Sequence, residues 1–191
     1  MKSANRRCAQ CRKKVPAESA IIGGLRSFCS MEHLLEFTRS ANGQKAVKQS
    51  TRAETRKAKE RLKTRSDWMK EAQAAVNAWV RHRDRDLPCI SCGNHSEEKF
   101  GGARDAGHYR SRGSAGHLRF DLRNIHSQCV RCNRYLSGNV ADYRVGLIDR
   151  IGIESVEAIE ADQAERRFDV EYLKRLKSIY TRRLRQAKKF A

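Results

Sequence analysis

Nowhere in the 191 residues does an apolar run approach the length of a membrane span. The start, Met1 to Arg7, is basic, but no apolar segment follows it, so nothing there reads as a secretory leader. These two absences predict a soluble, cytosolic protein. Acidic residues are scarce: 22 stand against 41 Lys and Arg, a formal net charge of +19, with a pI near 10.1. Such a surplus speaks of partners rather than of fold. Polyphosphate is the partner it favours, because each neutralised phosphate releases counterions and adds salt-sensitive affinity. An anionic membrane surface would instead want an amphipathic basic helix with Trp or Phe on its apolar face, or a lipidation signal, and no membrane partner is expected. Apolar material is also short, 39% hydrophobic against 33% charged with only two prolines. That excludes a single large core, and domains short of core need staples, either disulfides or metals.

The cysteines supply them. An odd count of seven with no leader argues against a disulfide framework. Cys89-x2-Cys92 and Cys129-x2-Cys132 form a tetrahedral thiolate set suited to structural zinc. Cys8-x2-Cys11, Cys29 and His33 fit a second, Cys3His site, with Cys29 and His33 one helical turn apart. All seven thiols are then used.

The chain divides into four stretches. Residues 1–38 read as the Cys3His zinc module, with a hairpin through Gly23-Gly24 and a short helix that opens at Phe28-Cys29-Ser30 and carries His33. Residues 39–65 read as a basic helical arm or linker, with nine cations against two acids over 40–65. Residues 66–152 begin with an amphipathic helix capped by Ser66 and striped by Trp68, Ala72, Val76, Trp79 and Val80, ended by Asp86-Leu87-Pro88. Both tryptophans are expected in the core. The stretch closes with a helix from Val140 to about Arg150, stopped by Gly152. Residues 153–191 form a C-terminal helical region: a short acidic helix, then one capped by Asp169 and ending in the basic tail Arg182 to Lys189. The class is therefore α+β and mainly helical.

Between the two CxxC pairs lie Asp105-Ala-Gly-His108 and Asn124, and Asn133 directly follows Cys132. A metal-stapled frame of this kind can preorganise small catalytic groups without a large core. The order resembles the HNH endonuclease motif, a ββα-metal element inside a treble-clef zinc site. That resemblance implies His108 as general base, Asn124 as the residue that braces the loop and orients it, and Asn133 as a ligand to a catalytic Mg²⁺ or Mn²⁺. Members of that family usually carry an acid or histidine immediately before the base; here Gly107 stands there. Either Asp105 reaches the ion, or Asn133 holds it nearly alone with waters and phosphate. The Ala106-Gly107 step reads as flexible and leaves Asp105 on its wrong side, which favours Asn133. Arg110, Arg112, Arg119, Arg123 and Arg131 read as phosphate grips around this centre, with Lys57 and Arg61 on the arm and Arg182 and Arg183 on the tail. His117 and His126 could each serve or merely decorate the loop.

A closer likeness rests on Leu87-Pro-Cys-Ile-Ser-Cys-Gly93, Asp105-Ala-Gly-His-Tyr-Arg110, Arg123-Asn-Ile-His126, Ser137-Gly-Asn139 and Tyr143-Arg-Val145. These segments look like the NinG (Rap) recombination endonucleases of lambdoid phages, most strongly over residues 66–152. The resemblance implies a divalent-metal-dependent nuclease that nicks Holliday junctions and D-loops in the cytoplasm of a bacterial host, with DNA as partner and a homodimer as its working form. Two other readings stand beside it: a non-catalytic zinc-dependent nucleic-acid-binding protein, and an HNH nicking nuclease with no junction preference.

Overall fold

The computed structural model describes residues 5–95 and 104–190. It divides into two compact units, residues 1–63 and 64–191. The expected α+β, mainly helical class holds, with three two-stranded antiparallel sheets among the described residues.

In the first unit β1 (Arg6–Arg7) pairs with β2 (Lys14–Val15), and β3 (Ile21–Gly23) with β4 (Arg26–Phe28). Gly24 turns the second hairpin at a φ of +61°, a conformation open to glycine at no steric cost. Ser30 then caps α1 (Met31–Arg39) by accepting from the His33 amide. A small core of Cys8, Val15, Phe28 and Phe37 closes beneath these elements. Ser40 both ends α1 and caps α2 (Ala41–Arg61), its hydroxyl donating to the Phe37 carbonyl at 2.6 Å and accepting from the Gly43 amide at 3.1 Å. Beyond Ala46, α2 has almost nothing to bury: every residue from Val47 to Leu62 except Ala53 is exposed. The arm is therefore a solvated helix, Lys57 and Arg61 included.

The second unit opens with α3 (Arg65–Arg83). Its cap is Thr64, not the expected Ser66: Thr64 and Asp67 form a reciprocal capping box that satisfies two otherwise unpaired amide donors. The helix also stops earlier than the Asp86-Leu87-Pro88 signal, at Arg83, because Asp84 turns inward and is only 1% exposed. The stripe Trp68, Ala72, Val76 and Val80 packs against Leu173 and Tyr180 of α6 (Val170–Ala187), which Asp169 caps as its sequence suggests. Of the two tryptophans, Trp68 is core, with Lys174 and Lys177 over its ring at 5.4 and 5.2 Å; Trp79 lies half-buried at the edge.

The hairpin of β5 (Arg104–His108) and β6 (Ile125–Cys129) lies between two cores. Side chains alternate across a strand, so Ala106 and Ile125 join the α3–α6 core, while their neighbours Gly107 and His126 meet Tyr143 of α4 (Val140–Ile151). The Tyr143 hydroxyl donates to the Gly107 carbonyl and accepts from the His126 amide, both at 3.0 Å. Behind it Leu147 packs with Val156 and Ile159 of α5 (Ile153–Ala161), Leu118 and Ile90. A buried polar cluster ties these elements together. Asp84 pairs with Arg83 and accepts from the Ser127 amide at 2.9 Å, and His126 Nδ1 lies 3.2 Å from the Arg83 guanidinium and 3.5 Å from that of Arg150. His126 is thus a structural residue, 4% exposed, and His117 likewise, since its Nε2 donates to the Asp162 carbonyl at 2.8 Å.

One residue reports how tightly α4 sits on the first CxxC pair. A methyl group on Gly146 would run into the Ile90 carbonyl. Alanine favours a helix interior by roughly 1 kcal/mol over glycine, so Gly146→Ala should stabilise if the approach were loose. The close approach predicts the opposite, a loss of about 1–3 kcal/mol from overpacking, read as a lowered melting temperature.

Candidate functional site

Among the described residues two clusters of ligating atoms form, one in each unit. Cys8, Cys11, Cys29 and His33 gather with every ligand atom within 4.8 Å of the others, and so do Cys89, Cys92, Cys129 and Cys132. Both could hold zinc. Four sulfurs around a tetrahedral zinc at about 2.3 Å lie roughly 3.8 Å apart; Cys92 and Cys129 Sγ are 3.9 Å apart and Cys11 and Cys29 Sγ 3.6 Å. His33 faces its cluster with Nδ1, 3.8 Å from Cys8 Sγ. The Cys8–Cys11 and Cys89–Cys92 turns are built alike. The residue after the second cysteine, Arg12 or Gly93, has a left-handed φ of +66° or +70°, and its amide donates to the first cysteine's carbonyl at 3.0 Å. Amides also point at the sulfurs, from Cys129 to Cys89 and from Cys132 to Cys129. Burial and the neighbouring Cys129 and Cys92 thiols push Cys132 up to about 12, the crowding that a divalent cation would reverse.

The thiolate cluster anchors the hairpin at Cys129, and the register then sets the rest: Arg104 opposes Cys129, Asp105 opposes Gln128, and His108 opposes Ile125. Past His108 the chain is pinned by Asn124, fully buried. Its backbone carbonyl accepts from Tyr109, its Oδ1 accepts from the Arg110 amide at 2.8 Å, and its Nδ2 donates to the Arg110 and Leu118 carbonyls. Fastening Leu118 brings the next carbonyl, Arg119, within 3.1 Å of His108 Nε2. A carbonyl only accepts, so Nε2 carries the proton and Nδ1 is the basic nitrogen. Burial first, then the Arg112 and Arg119 cations, press the His108 pKa down from 6.5 to about 4, against the Arg119 carbonyl.

Around Cys132 the chain makes a single wide turn, Arg131–Tyr135, closed by the Leu136 amide on the Arg131 carbonyl. Ser137, Gly138 and Asn139 then all take left-handed φ values, of 50°, 90° and 43°, before α4 begins. This break lets Gln128 reach the Gly138 carbonyl and Asn139 Nδ2 reach Cys132 Sγ. It also turns Asn133 toward β5, where its Nδ2 donates to Asp105 at 2.9 Å. The Ala106-Gly107 step is not flexible, because both residues are paired in the hairpin, opposite Ser127 and His126. Asp105 therefore lies beside Asn133 rather than away from it. Gly107 has no room for any side chain, since Gln128 fills that space.

One cavity of about 480 Å³ gathers His108, Asp105 and Asn133 with Arg112 and Arg134, and with Asn77 and Arg81 of α3. No motif in the sequence singles out Asn77, Arg81 or Arg134. Asn77 and Arg81 are four apart on α3 and so share a face, but only the packing of α3 on the hairpin shows which face meets the cavity. Of the expected phosphate grips, Arg112 and Arg131 are exposed, Arg119 is half-buried behind His108, and Arg123 is held by both oxygens of Asp121. Arg110 is not a grip but a brace, because its Nη1 donates to the Ile159, Glu160 and Asp162 carbonyls and caps α5. Arg182 and Arg183 are exposed on α6, Arg183 over the Tyr180 ring at 5.5 Å. Among the described residues no helix is long and apolar enough to cross a membrane.

The family model described as Bacteriophage Lambda NinG protein matches residues 1–190. Protein ninG of Salmonella phage P22 is 53% identical over 124 residues, which cover 65% of this chain and 59% of that protein. Protein ninG of Escherichia phage lambda is 52% identical over the same length and shares, and that of Escherichia phage 933W is 52% identical over 65% of this chain and 60% of its own. The chain thus spans about three fifths of the length of the curated relatives it matches. No solved structure matches it.

Two expectations follow from this geometry. Elemental analysis should find two zinc ions per chain, one for each cluster. Cys129→Ser should lose one of them and, because ligation is coupled to folding, broaden the thermal transition of the second unit. Intact folding after chelation would contradict that coupling. The imidazoles give the second. His108 and His126 are both held down to about 4, below the unfolded value near 6.5. The unfolded chain therefore binds more protons between those limits, and the stability these residues contribute is complete above pH 6.5 and lost as the pH falls toward 4. NMR titration should place both ring midpoints near 4; a midpoint near 6.5 for His108 would show the ring to be solvated.

Proposed function

We propose that this chain, which belongs to the NinG family of bacteriophage lambda proteins, is a divalent-metal-dependent DNA endonuclease of the HNH type that nicks branched recombination intermediates. The observation that carries the reading is the convergence of three groups in one cavity ringed by arginines: a histidine with a defined basic nitrogen, a carboxylate and a carboxamide. A satisfied surface histidine would not need its tautomer fixed by a carbonyl that a buried asparagine positions.

The chemistry is hydrolysis of a phosphodiester. His108 Nδ1 accepts a proton from water as the water oxygen forms its bond to phosphorus, and the ester bond to the leaving oxygen breaks. Asn124 keeps the Arg119 carbonyl on Nε2, so the ring keeps its orientation through the transfer. Asp105 and the Asn133 Oδ1 would hold a Mg²⁺ or Mn²⁺ ion, both being hard oxygen donors. Bound there, the ion would neutralise charge developing on the phosphoryl and leaving oxygens. A pKa near 4 makes His108 neutral but weakly basic in the DNA-free protein. Phosphates that neutralise Arg112 and Arg119 remove two of the charges that depress it, so arriving substrate strengthens the base.

Junction preference rests on the family resemblance and on how charge is distributed. Cations are carried on α2, around the cavity and on the end of α6, which suits a ligand with several duplex arms. A homodimer would supply the paired active sites that two coordinated nicks need. Labelled linear, forked and four-way DNA incubated with Mg²⁺ or Mn²⁺ tests the reading. His108→Ala should lower cutting by about 10²- to 10⁴-fold, the usual contribution of a general base, while zinc content and DNA binding persist. Wild-type cutting by that variant would remove His108 from the mechanism. DNA binding that needs zinc but neither Mg²⁺ nor Mn²⁺, with no cutting of any substrate, would favour the non-catalytic zinc-dependent binding protein.

A further inference from the structure

The Asp105 carboxylate has a partner that blocks the role just given to it. Arg134 Nε lies 2.7 Å from Asp105 Oδ2 and Arg134 Nη2 lies 2.8 Å from Oδ1, a fork-to-fork pair that occupies both oxygens. Asn133 Nδ2 adds a third hydrogen bond to Oδ2 at 2.9 Å. A cation cannot take a carboxylate held this way until the guanidinium leaves, and the guanidinium's own charge repels it. The pair is also unequal in its exposure: the Arg134 side chain is 62% exposed and that of Asp105 20%. An ion pair whose arginine stands in water holds weakly, so it opens when a better partner arrives. A phosphate is such a partner, because it offers a guanidinium the same two-pronged geometry.

We propose that Arg134 is a positioning residue that couples substrate to metal: a DNA phosphate draws its guanidinium off Asp105, and the freed carboxylate then takes the divalent ion. The inference rests on the proposed function for the identity of the anion and deepens that reading of the same cavity. Arg81 and Arg112 line the cavity with Arg134 and hold the phosphate within reach. Asn133 stays attached to Asp105 by Nδ2, and its Oδ1 accepts no hydrogen bond from any described residue, so the two ligands are assembled as soon as Arg134 swings out. Metal and DNA then bind with positive coupling, and by linkage each tightens the other equally. A nuclease built this way keeps its metal site shut until substrate is present.

The test is Mn²⁺ binding to the zinc-loaded full chain, followed by electron paramagnetic resonance without DNA. Arg134→Ala is expected to bind Mn²⁺ about tenfold more tightly than the wild type. Asp105→Asn combined with Arg134→Ala should lose that gain, because the freed ligand is gone. Arg131→Ala removes an exposed cation from the same turn without touching Asp105, and should shift Mn²⁺ affinity by less than threefold. In a His108→Ala background, which leaves DNA intact, Mn²⁺ should tighten four-way junction binding about tenfold when Arg134 is present and hardly at all in Arg134→Ala. Equal Mn²⁺ affinity in wild type and Arg134→Ala overturns the proposal, and so does an equal gain in Arg131→Ala or one that survives Asp105→Asn, since either reduces the effect to net charge. The outcome is separable from the nuclease reading: a chain that shows the expected affinities yet cuts nothing has the coupling without the activity, and one that cuts with no affinity change has the activity without the coupling.

Discussion

The register of the β5–β6 hairpin is the constraint on which the rest depends. Opposing Arg104 to Cys129 and His108 to Ile125 puts a thiolate cluster at one end of the hairpin and an imidazole at the other. A slip of one residue would send Ala106 and Ile125 out of the α3–α6 core and turn His126 away from Tyr143 and the Arg83–Asp84 pair, so both faces resist it. Asp105 is positioned by the same pairing. It meets Asn133 because Cys132, the residue before Asn133, is tied into the cluster that holds the strand end.

Polar groups share the work that a large core would do elsewhere. Asp84, almost fully buried, is satisfied by the Arg83 guanidinium and the Ser127 amide, with Arg150 and His126 beside it. Burial raises its pKa, but the Arg83 hydrogen bonds and charge outweigh that and hold it below the ordinary carboxylate range. Buried charges persist only where such partners are complete. Elsewhere Arg110 caps α5 while Tyr109 and Arg144 converge on Glu160, so helices with modest apolar faces are clamped by charge. This is how a chain one-third charged can still fix two small cores around a hairpin.

The surplus of positive charge is not spread evenly in function. Some arginines are consumed inside the fold, as Arg83, Arg110 and Arg150 show. Others meet acids at the surface, as Arg123 does. What remains open, on α2, on the rim of the cavity and at the end of α6, is the part left accessible at the surface. Counting cations in the sequence cannot separate these groups, since the difference lies in which carbonyls and carboxylates come within reach after folding.

Cysteine and histidine spacing alone determined the two ligand sets, because thiolates two residues apart can converge only by turning the chain back on itself, and both clusters close as that spacing requires. Helical periodicity likewise determined the α3 stripe, capping chemistry the Asp169 start of α6, and the Gly23-Gly24 turn followed from glycine's freedom at positive φ. What only the tertiary structure decided was long-range pairing. It made the Ala106-Gly107 step a rigid strand, set Asp105 against Asn133 and Arg134, brought Asn77 and Arg81 to the cavity from a distant helix, and withdrew Arg110 into a helix cap. Local propensity and spacing act over a few residues. Hydrogen bonds between residues fourteen to more than forty positions apart, such as Arg110 to Asn124 and Arg83 to Ile125 or His126, are settled by which surfaces bury together, and no short stretch of sequence carries that information.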